Sequence, residues 1–201
     1  MDSKTRCEWA GDIPVYVAYH DDEWGRPVHD DRKLFEMLTL EGMQAGLSWL
    51  TVLRKREAFR EAFDNFEPSV VARYDVAKIE ALMVNAGIIR NRAKINAAVG
   101  NAAAFLKIAE EFGSFDKFIW AYVGGVPLDG GREKMSDLPA KTPLSDQISK
   151  DLLKRGFKFV GSTIVYSFMQ AVGMVNDHVK SCFVCRELKS PHPAPDSPSA
   201  H

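Results

Sequence analysis

The 201-residue sequence contains few cysteines, no long apolar run and almost no net charge, and each shortage narrows what the protein can be. Three cysteines form no even-numbered disulfide framework, so cytoplasmic thiols or metal ligands are expected instead. No run of about 18 apolar residues is present, which argues against a transmembrane helix, and residues 1–6 lead into no hydrophobic signal core. With a net charge of −1, contact with nucleic acid would require locally clustered basic residues.

The sequence also lacks a convincing alternation of apolar and polar residues over the length of a strand, which favours an all-α fold of many short helices. Helices are predicted over 31–44, 49–63, from 68, from 75 to 86, up to 111, over 115–122, over 146–155 and from 162 to about 173. In the helix that begins at Asp75, Val76 and Leu82 are expected to face the core.

The remaining segments are predicted to be irregular. Residues 6–29 are rich in aromatic side chains and are interpreted as an arm that packs on the helical body. Residues 124–143 contain four glycines and three prolines and are predicted to form a loop. One domain is expected over 1–188, followed by a disordered tail of mainly Ser, Pro, His and Ala over 189–201.

A carboxylate lies on the apolar face of the predicted 31–44 helix. Leu34, Leu38 and Glu41 fall at positions i, i+4 and i+7, which places them on one side of a helix. The leucines favour the core, so Glu41 is carried inward with them. A buried carboxylate is costly unless it is paired or has a raised pKa, so Glu41 is either a satisfied core acid or part of a functional site.

Aromatic residues from the arm and from the second predicted helix extend this hypothesis. The arm carries Trp9, Tyr16, Tyr19 and Trp24, and the second predicted helix begins at Trp49. Taken one at a time, these aromatic residues fit ordinary core packing. Together with Glu41 they describe a pocket for a flat, polar or cationic base, because aromatic faces attract electron-poor rings and a carboxylate accepts hydrogen bonds. An enzyme that acts on a base in DNA must first take that base out of the duplex.

Histidines and cysteines at the two ends of the chain have the composition of a metal site. His178 and Cys182 are four residues apart and would share one face of a helix, while Cys7 and His20 lie in the arm. Two cysteines and two histidines would complete a structural zinc site that joins the ends of the chain. The spacing is not that of a zinc finger, so free cysteines and incidental histidines remain the alternative. Cys185 could replace Cys182 as a ligand or be a surface thiol. Asp177 is a partner of an imidazole, a helix cap or a solvated acid.

A short, glycine-bounded hairpin is predicted between the helices that end near 155 and begin near 162. Gly161 precedes a helix N-terminus, whose free N–H groups suit a phosphate. Ser162 and Thr163 add hydroxyls and Lys158 adds charge, which together suit a sequence-independent grip on a DNA backbone. An ordinary αα-hairpin is the alternative.

Seven blocks of the sequence together resemble the DNA-3-methyladenine glycosylase I family, bacterial repair enzymes of the helix-hairpin-helix superfamily. The blocks are residues 6–9, 18–25, 34–37, 44–49, 87–90, 154–161 and 175–178. The resemblance runs from about Arg6 to Cys182, and it implies one structural Zn²⁺. The ligands it implies are Cys7, His20, His178 and Cys182, which leaves Cys185 as a bystander.

The resemblance also implies roles for the base pocket. It implies that Glu41 is the candidate catalytic residue and the acid that reads the flipped base. It further implies that 3-methyladenine stacks between Tyr19 and Trp49, with Trp9 and Tyr16 as further pocket wall. The resemblance implies that the aspartate that assists bond cleavage elsewhere in the superfamily is absent, so Asp177 is not given that role.

The DNA contacts implied by the resemblance come from two turns. The turn at Gly46 and Leu47 would approach the gap left by the flipped base. The hairpin, with Lys158 and Gly161, would hold the backbone together with Ser162 and Thr163. The hairpin departs from the glycine-rich, proline-containing consensus of the broader superfamily.

The function implied by the resemblance is hydrolytic release of 3-methyladenine from alkylated double-stranded DNA by a cytoplasmic monomer without a lyase step. One alternative is a non-catalytic helix-hairpin-helix DNA-binding protein that keeps the zinc and the hairpin. The other is an enzyme that acts on a free nucleobase and has no need of the hairpin. DNA binding separates this last possibility from the first two.

Overall fold

The computed structural model describes residues 4–189, and this part of the chain is mostly helical, as predicted. The helices are α1 (Pro14–Asp22), α2 (Asp31–Gln44), α3 (Trp49–Arg54), α4 (Arg56–Ala62), α5 (Pro68–Val71), α6 (Val76–Val84), α7 (Arg92–Phe112), α8 (Phe115–Ala121), α9 (Pro143–Lys154), α10 (Ser162–Ala171) and α11 (Phe183–Lys189). Short 3₁₀ turns cover Glu8–Ala10, Asp64–Phe66 and Met135–Asp137. Within residues 4–189 no helix is long and apolar enough to cross a membrane.

Helix α2 is the centre of the fold. Every residue from Leu34 to Met43 is buried, because α3, α7, α8 and α10 surround it. The Asp30 side chain accepts a hydrogen bond from the Lys33 backbone N–H and fixes the start of the helix. Since α2 is enclosed on several sides, polar residues along it are buried as well as apolar ones.

Several predicted boundaries differ from the observed ones. The arm contains a helix, α1, which begins with Pro14 at its first position. The predicted 49–63 helix is two helices separated by a turn at Lys55, whose backbone has φ −102° and ψ 0°. Val76 is 73% exposed rather than inward, because it occupies the first turn of α6.

Two short strands were not predicted. β1 (Leu128–Asp129) lies in the predicted loop and pairs in parallel with β2 (Val175–Asn176). A strand of two residues has no alternation that a sequence pattern can show. The predicted tail lies outside the described residues except for Lys189, which ends α11 and forms an ion pair with Asp129.

The predicted hairpin connects α9 to α10, and these two helices pack against each other. Its backbone turns through Gly156 and through Phe159, a non-glycine residue with a left-handed φ of 54°. The hairpin lies close to the C-terminal end of α2, because the Phe159 backbone approaches Gly42. The fold therefore places the hairpin and the turn that follows α2 in the same region.

Candidate active site and metal cluster

A cavity of about 240 Å³ opens between α1, the C-terminal half of α2 and the start of α3. It is smaller than the roughly 300–1,000 Å³ of pockets for drug-sized ligands, so it suits a single base better than a nucleotide. The structure brings together on its wall all five residues that the resemblance placed in the base pocket. These residues are Trp9, Tyr16, Tyr19, Glu41 and Trp49.

Glu41 is the carboxylate of this cavity. Glu41 is only 4% exposed, and burial raises the pKa of its carboxyl group to about 8. Among residues 4–189 no side chain or backbone N–H donates a hydrogen bond to it, and no cation pairs with it. Buried carboxylates are normally satisfied by protein partners, so a carboxylate without one that faces a cavity is suited to accept hydrogen bonds from a ligand.

The aromatic walls contact one another through several tilted or edge-on pairs. Trp9 meets Tyr16 edge-on, with ring centroids 5.2 Å apart. Tyr19 and Trp49 are buried, and their centroids are 5.4 Å apart at an interplanar angle of 52°. A flat base between two parallel rings would need roughly 7 Å between them, since each contact takes about 3.5 Å. In this conformation Tyr19 and Trp49 therefore do not form the two-sided stack that the resemblance implies.

The four predicted metal ligands form one buried cluster that could hold a metal ion. The candidate ligand atoms of Cys7, His20, His178 and Cys182 all lie within 4.8 Å of one another. The Cys182 Sγ atom is 3.5 Å from His20 Nε2 and 3.5 Å from His178 Nδ1. Tetrahedral bonds of about 2.0–2.3 Å place neighbouring ligand atoms roughly 3.3–3.8 Å apart, so these separations fit a structural zinc ion.

The second nitrogen of each cluster histidine has its own partner. His20 Nδ1 lies 2.8 Å from Asp21 Oδ1, and His178 Nε2 lies 2.9 Å from the Trp24 carbonyl oxygen. Such contacts fix the ring orientation of metal-binding histidines. The sequence analysis missed Asp21, although its position directly after His20 was a usable signal.

Two expectations about this region were wrong in their geometry. His178 and Cys182 are not on a helix but on the two sides of a turn, closed by a hydrogen bond from the Cys182 N–H to the Val179 carbonyl oxygen. Asp177 does not contact a cluster histidine. Its carboxylate instead accepts hydrogen bonds from the side chains of Arg132 and Gln170.

The residues predicted to contact DNA lie on two turns. Gly46 has a left-handed φ of 81°, which favours glycine. Leu47 beside it is 43% exposed. Lys158 in the hairpin is exposed, and Gly161 directly precedes the first turn of α10, where Thr163 is exposed as well. The Ser162 hydroxyl already has a protein partner, the Ser145 hydroxyl at 2.8 Å.

A family model described as methyladenine glycosylase matches residues 9–186, which include the cavity, the hairpin and three of the four cluster residues. The chain belongs to the methyladenine glycosylase family. The match is supported by the DNA-3-methyladenine glycosylase 1 of Escherichia coli strain K12, which is 52% identical over 177 residues, 88% of this chain and 95% of that protein.

Other methyladenine glycosylases are similar over nearly the whole chain. The DNA-3-methyladenine glycosylase of Haemophilus influenzae is 48% identical over 178 residues, 89% of this chain and 96% of that protein. A solved structure on 3-methyladenine recognition by 3-methyladenine DNA glycosylase I of Staphylococcus aureus is 42% identical, with a TM-score of 0.88. The match covers 96% of this chain and all of that structure.

Part of the cavity of this methyladenine glycosylase was not found by sequence analysis. The additional lining residues are Gln44, Met135, Leu138, Ser167 and Gln170, together with Trp24, an aromatic residue of the arm to which the resemblance gives no pocket role. Met135 and Leu138 come from the predicted loop, and Gln170 comes from α10. Gln44 follows Glu41 by three residues on α2, so helical spacing was a usable signal for it. Residues 135 to 170 are more than 90 residues from Glu41 in the sequence, so no spacing rule connects them to the site.

The unpaired Glu41 gives this methyladenine glycosylase a predicted pH dependence of stability. Its pKa of about 8 exceeds the value of about 4.3 expected in the unfolded chain, so the folded state holds the proton more tightly. The contribution of Glu41 to the free energy of unfolding is therefore fully present below about pH 4 and is lost as the pH rises to about 8. Between pH 5 and pH 8 the free energy of unfolding of the wild type should fall by roughly 1–4 kcal/mol more than that of Glu41→Gln, because glutamine does not titrate.

Denaturant unfolding of wild type and Glu41→Gln at the two pH values would measure this difference. Because all other titrating groups are shared, their contributions cancel in the comparison. Parallel pH profiles for the two proteins would show that burial does not perturb Glu41 as described.

Proposed function

We propose that this chain excises 3-methyladenine from alkylated double-stranded DNA as a DNA repair glycosylase. The observation that carries the proposal is the buried Glu41 carboxylate, which has no hydrogen-bond donor among residues 4–189 and lines a cavity of about 240 Å³ in a member of this family. The relatives from E. coli and H. influenzae bear the glycosylase name, and the S. aureus structure concerns recognition of this base. The reaction requires the base to leave the duplex and enter the cavity.

The reaction requires little acid catalysis from the protein. A 3-methylated adenine in DNA carries positive charge and leaves as a neutral base, so its glycosidic bond is already weak. Burial keeps Glu41 largely protonated in the free protein at neutral pH, but a bound cationic base favours its ionised form. The ionised Glu41 accepts hydrogen bonds from the edge of the base, and its charge favours the cationic substrate. The aromatic walls hold the base in position while the sugar gains oxocarbenium character and water completes the hydrolysis. Trp9 and Tyr16 are half-buried, and they offer ring faces or edges to the base more readily than the contacting pair of Tyr19 and Trp49.

We propose a reaction without a lyase step. A lyase step needs an amine nucleophile near the sugar. Among the described residues that line the cavity there is no lysine. This composition supports a monofunctional glycosylase.

The cluster of Cys7, His20, His178 and Cys182 is proposed to bind one Zn²⁺. Four protein ligands leave no open position, which is typical of structural zinc rather than catalytic zinc. The ion joins the arm to the C-terminal segment, and the arm carries Trp9 and Tyr16 into the cavity wall. Its role is therefore to hold the pocket wall in place. The single domain of 1–188 is proposed to be closed in this way, with the protein acting as a monomer.

The two exposed turns are proposed to engage the duplex. Leu47, beside the left-handed Gly46, is suited to enter the gap that a flipped base leaves. The α9–hairpin–α10 unit is proposed to be a helix-hairpin-helix element that holds the backbone through Lys158 and the N–H groups at Gly161 and Thr163.

Release of free 3-methyladenine from methylated duplex DNA tests the function directly. The folded wild-type protein should release the base into the supernatant, where chromatography detects it. If a folded protein binds the duplex but releases no base, the non-catalytic DNA-binding alternative is correct. If it binds no duplex at all, the free-nucleobase alternative is favoured.

Lys158→Ala should weaken duplex binding and flatten its dependence on salt. Loss of one phosphate contact lowers the slope of log K against log salt concentration by about 0.9. Fluorescence anisotropy titrations of a labelled duplex between low and moderate salt would measure the slope.

Lys117→Ala provides a matched control for this substitution. Lys117 is exposed on α8, and α8 begins beside Asp31, which accepts hydrogen bonds from the Phe115 and Asp116 N–H groups. It therefore lies at the opposite end of α2 from the two turns, about 21 Å along a 14-residue helix. Equal slopes for Lys158→Ala and the wild type would place Lys158 outside the DNA interface.

A further inference from the structure

Helix α7 carries two buried polar side chains, Lys94 and Asn101, that belong neither to the cavity nor to the metal cluster. They are 8% and 6% exposed. They are seven residues apart, which places them on one face of the helix about 10 Å from each other. Lysine and asparagine are rarely buried without a specific partner, so each of them needs a structural explanation.

Lys94 holds the end of α2. Its Nζ atom donates hydrogen bonds to the Met43 carbonyl oxygen at 2.9 Å and to the Ala45 carbonyl oxygen at 2.6 Å. These carbonyl groups lie where the helix runs out of its own N–H donors, and a cation is favourable at this negative end of the helix. No ion pair in the described part of the chain involves Lys94. The ammonium group is therefore committed to the backbone immediately before Gly46 and Leu47.

Asn101 holds the hairpin. Its Nδ2 atom donates to the Lys158 carbonyl oxygen at 2.9 Å, and its Oδ1 atom accepts from the Lys158 N–H at 2.8 Å. The side chain thus satisfies both backbone groups of one residue, as a neighbouring strand would. Lys158 is followed by the left-handed Phe159, so this pair of hydrogen bonds fixes the backbone at the point where the hairpin is most strained.

The two anchored segments also meet each other. A Cβ atom at Gly42 would lie 3.4 Å from the Phe159 carbonyl oxygen, so α2 and the hairpin are in close contact there. The space enclosed between α2, α7 and Phe159 is only about 10 Å³. The end of α2 and the hairpin therefore pack against the same stretch of α7.

We infer that Lys94 and Asn101 are positioning residues, which hold the 44–48 turn and the hairpin on one face of α7 and so set the spacing of the two DNA-contacting segments. The inference rests on the proposed function, in which the turn enters the duplex at a flipped base and the hairpin holds the backbone. The two residues act on different parts of this interface. Lys94 controls a segment that matters only at a flipped-out site, whereas Asn101 controls a segment that contacts any duplex.

Two substitutions separate these roles. Lys94→Met keeps the aliphatic stem and removes both hydrogen bonds. It should weaken binding to a duplex with an abasic-site analogue by about tenfold and binding to an undamaged duplex by less than about twofold. Asn101→Ala should weaken binding to both duplexes together, by about fivefold. Fluorescence anisotropy with the two labelled duplexes measures both ratios.

Affinity for free 3-methyladenine, measured by quenching of tryptophan fluorescence, would fall if a variant had a general structural defect. Both variants should bind the free base within about twofold of the wild type, because neither residue lines the cavity. Lys94→Arg restores a charged donor and should recover most of the lost abasic-site affinity; it also serves if the methionine variant does not fold. Lys107→Met and Asn96→Ala, both at exposed positions of α7, are the matched controls.

The inference is wrong if affinity for free base falls in step with affinity for DNA, because the residues then only support folding. It is also wrong if neither variant changes duplex binding, or if Lys94→Met weakens binding to both duplexes equally. Excision by the wild type is measured separately. A wild type that binds the abasic-site duplex but releases no base contradicts the proposed function and leaves the binding comparison intact.

Discussion

Glu41→Gln is expected to lower release of 3-methyladenine from alkylated duplex DNA by about a hundredfold while leaving affinity for an abasic-site duplex nearly unchanged. The carboxylate is buried and lines the cavity, and no protein group donates a hydrogen bond to it in the described part of the chain. Glutamine keeps the size of the side chain but loses the charge that favours a cationic base. Loss of a charged interaction in a desolvated site costs about 2–4 kcal/mol in the transition state.

Single-turnover excision and abasic-site binding, measured on the same protein, test this expectation. The abasic-site duplex has no base to occupy the cavity, so its affinity reports only the turn and the hairpin. Equal losses in excision and in abasic-site binding would contradict a role for Glu41 in reading the base. Undiminished excision would remove Glu41 from the site altogether.

Glu36→Gln is the matched control, because Glu36 is a second buried acid on α2. Its carboxylate is paired, with Arg56 Nε at 2.7 Å and Arg60 at 2.9 Å. Removing one partner from a buried ion pair is destabilising. Glu36→Gln should therefore lower the melting temperature and retain excision below that temperature, whereas Glu41→Gln should lose excision and become more stable near pH 8.

Removal of the proposed zinc is the second large effect. Cys182→Ser should reduce metal content from about one ion per chain to nearly none, and it should lower the melting temperature by more than about 10 °C. The effect is large because the cluster joins Cys7 to a segment 171 residues away along the chain. Excision should fall as well, since Trp9 and Tyr16 lie on the arm that the ion would hold.

Metal analysis of the purified protein, together with thermal unfolding with and without a chelator, measures both quantities. Cys185→Ser is the control, because Cys185 is also a buried thiol near this region but lies outside the four-residue cluster. It should retain the metal and most of the stability. A wild-type protein that is folded, free of metal and insensitive to chelator would refute the zinc proposal.

The metal cluster and the cavity are linked through neighbouring positions of the arm. Cys7 precedes Trp9 by two residues, and His20 directly follows Tyr19. Asp21 connects these two stretches of the arm, because its carboxylate contacts His20 and forms an ion pair at 2.7 Å with Arg6, the residue before Cys7. A structural ion would therefore affect base recognition without taking part in the reaction, by fixing the segment that supplies four of the five aromatic residues lining the cavity.

The sequence by itself determined the features that depend on local spacing. Glu41 faces inward because it follows Leu34 and Leu38 at helical intervals, and the same rule holds wherever the helix is placed. The helix starts at Asp31 and Phe115 were predictable because Asp30 and Ser114 cap backbone N–H groups only three residues away. The residue types of a base pocket and of a metal site could be found in the sequence, but the choice between these sites and ordinary core packing or incidental histidines rested on resemblance to a family.

Only the tertiary structure decided which distant residues meet. The direct contact between Tyr19 and Trp49, the cavity wall supplied by Met135 and Gln170, and the Lys94 anchor all join segments that are 30 or more residues apart. No local period encodes such contacts, because they depend on the angles at which several helices pack. Helical spacing therefore fixed which side chains turn inward, while helix packing fixed what each of them meets there.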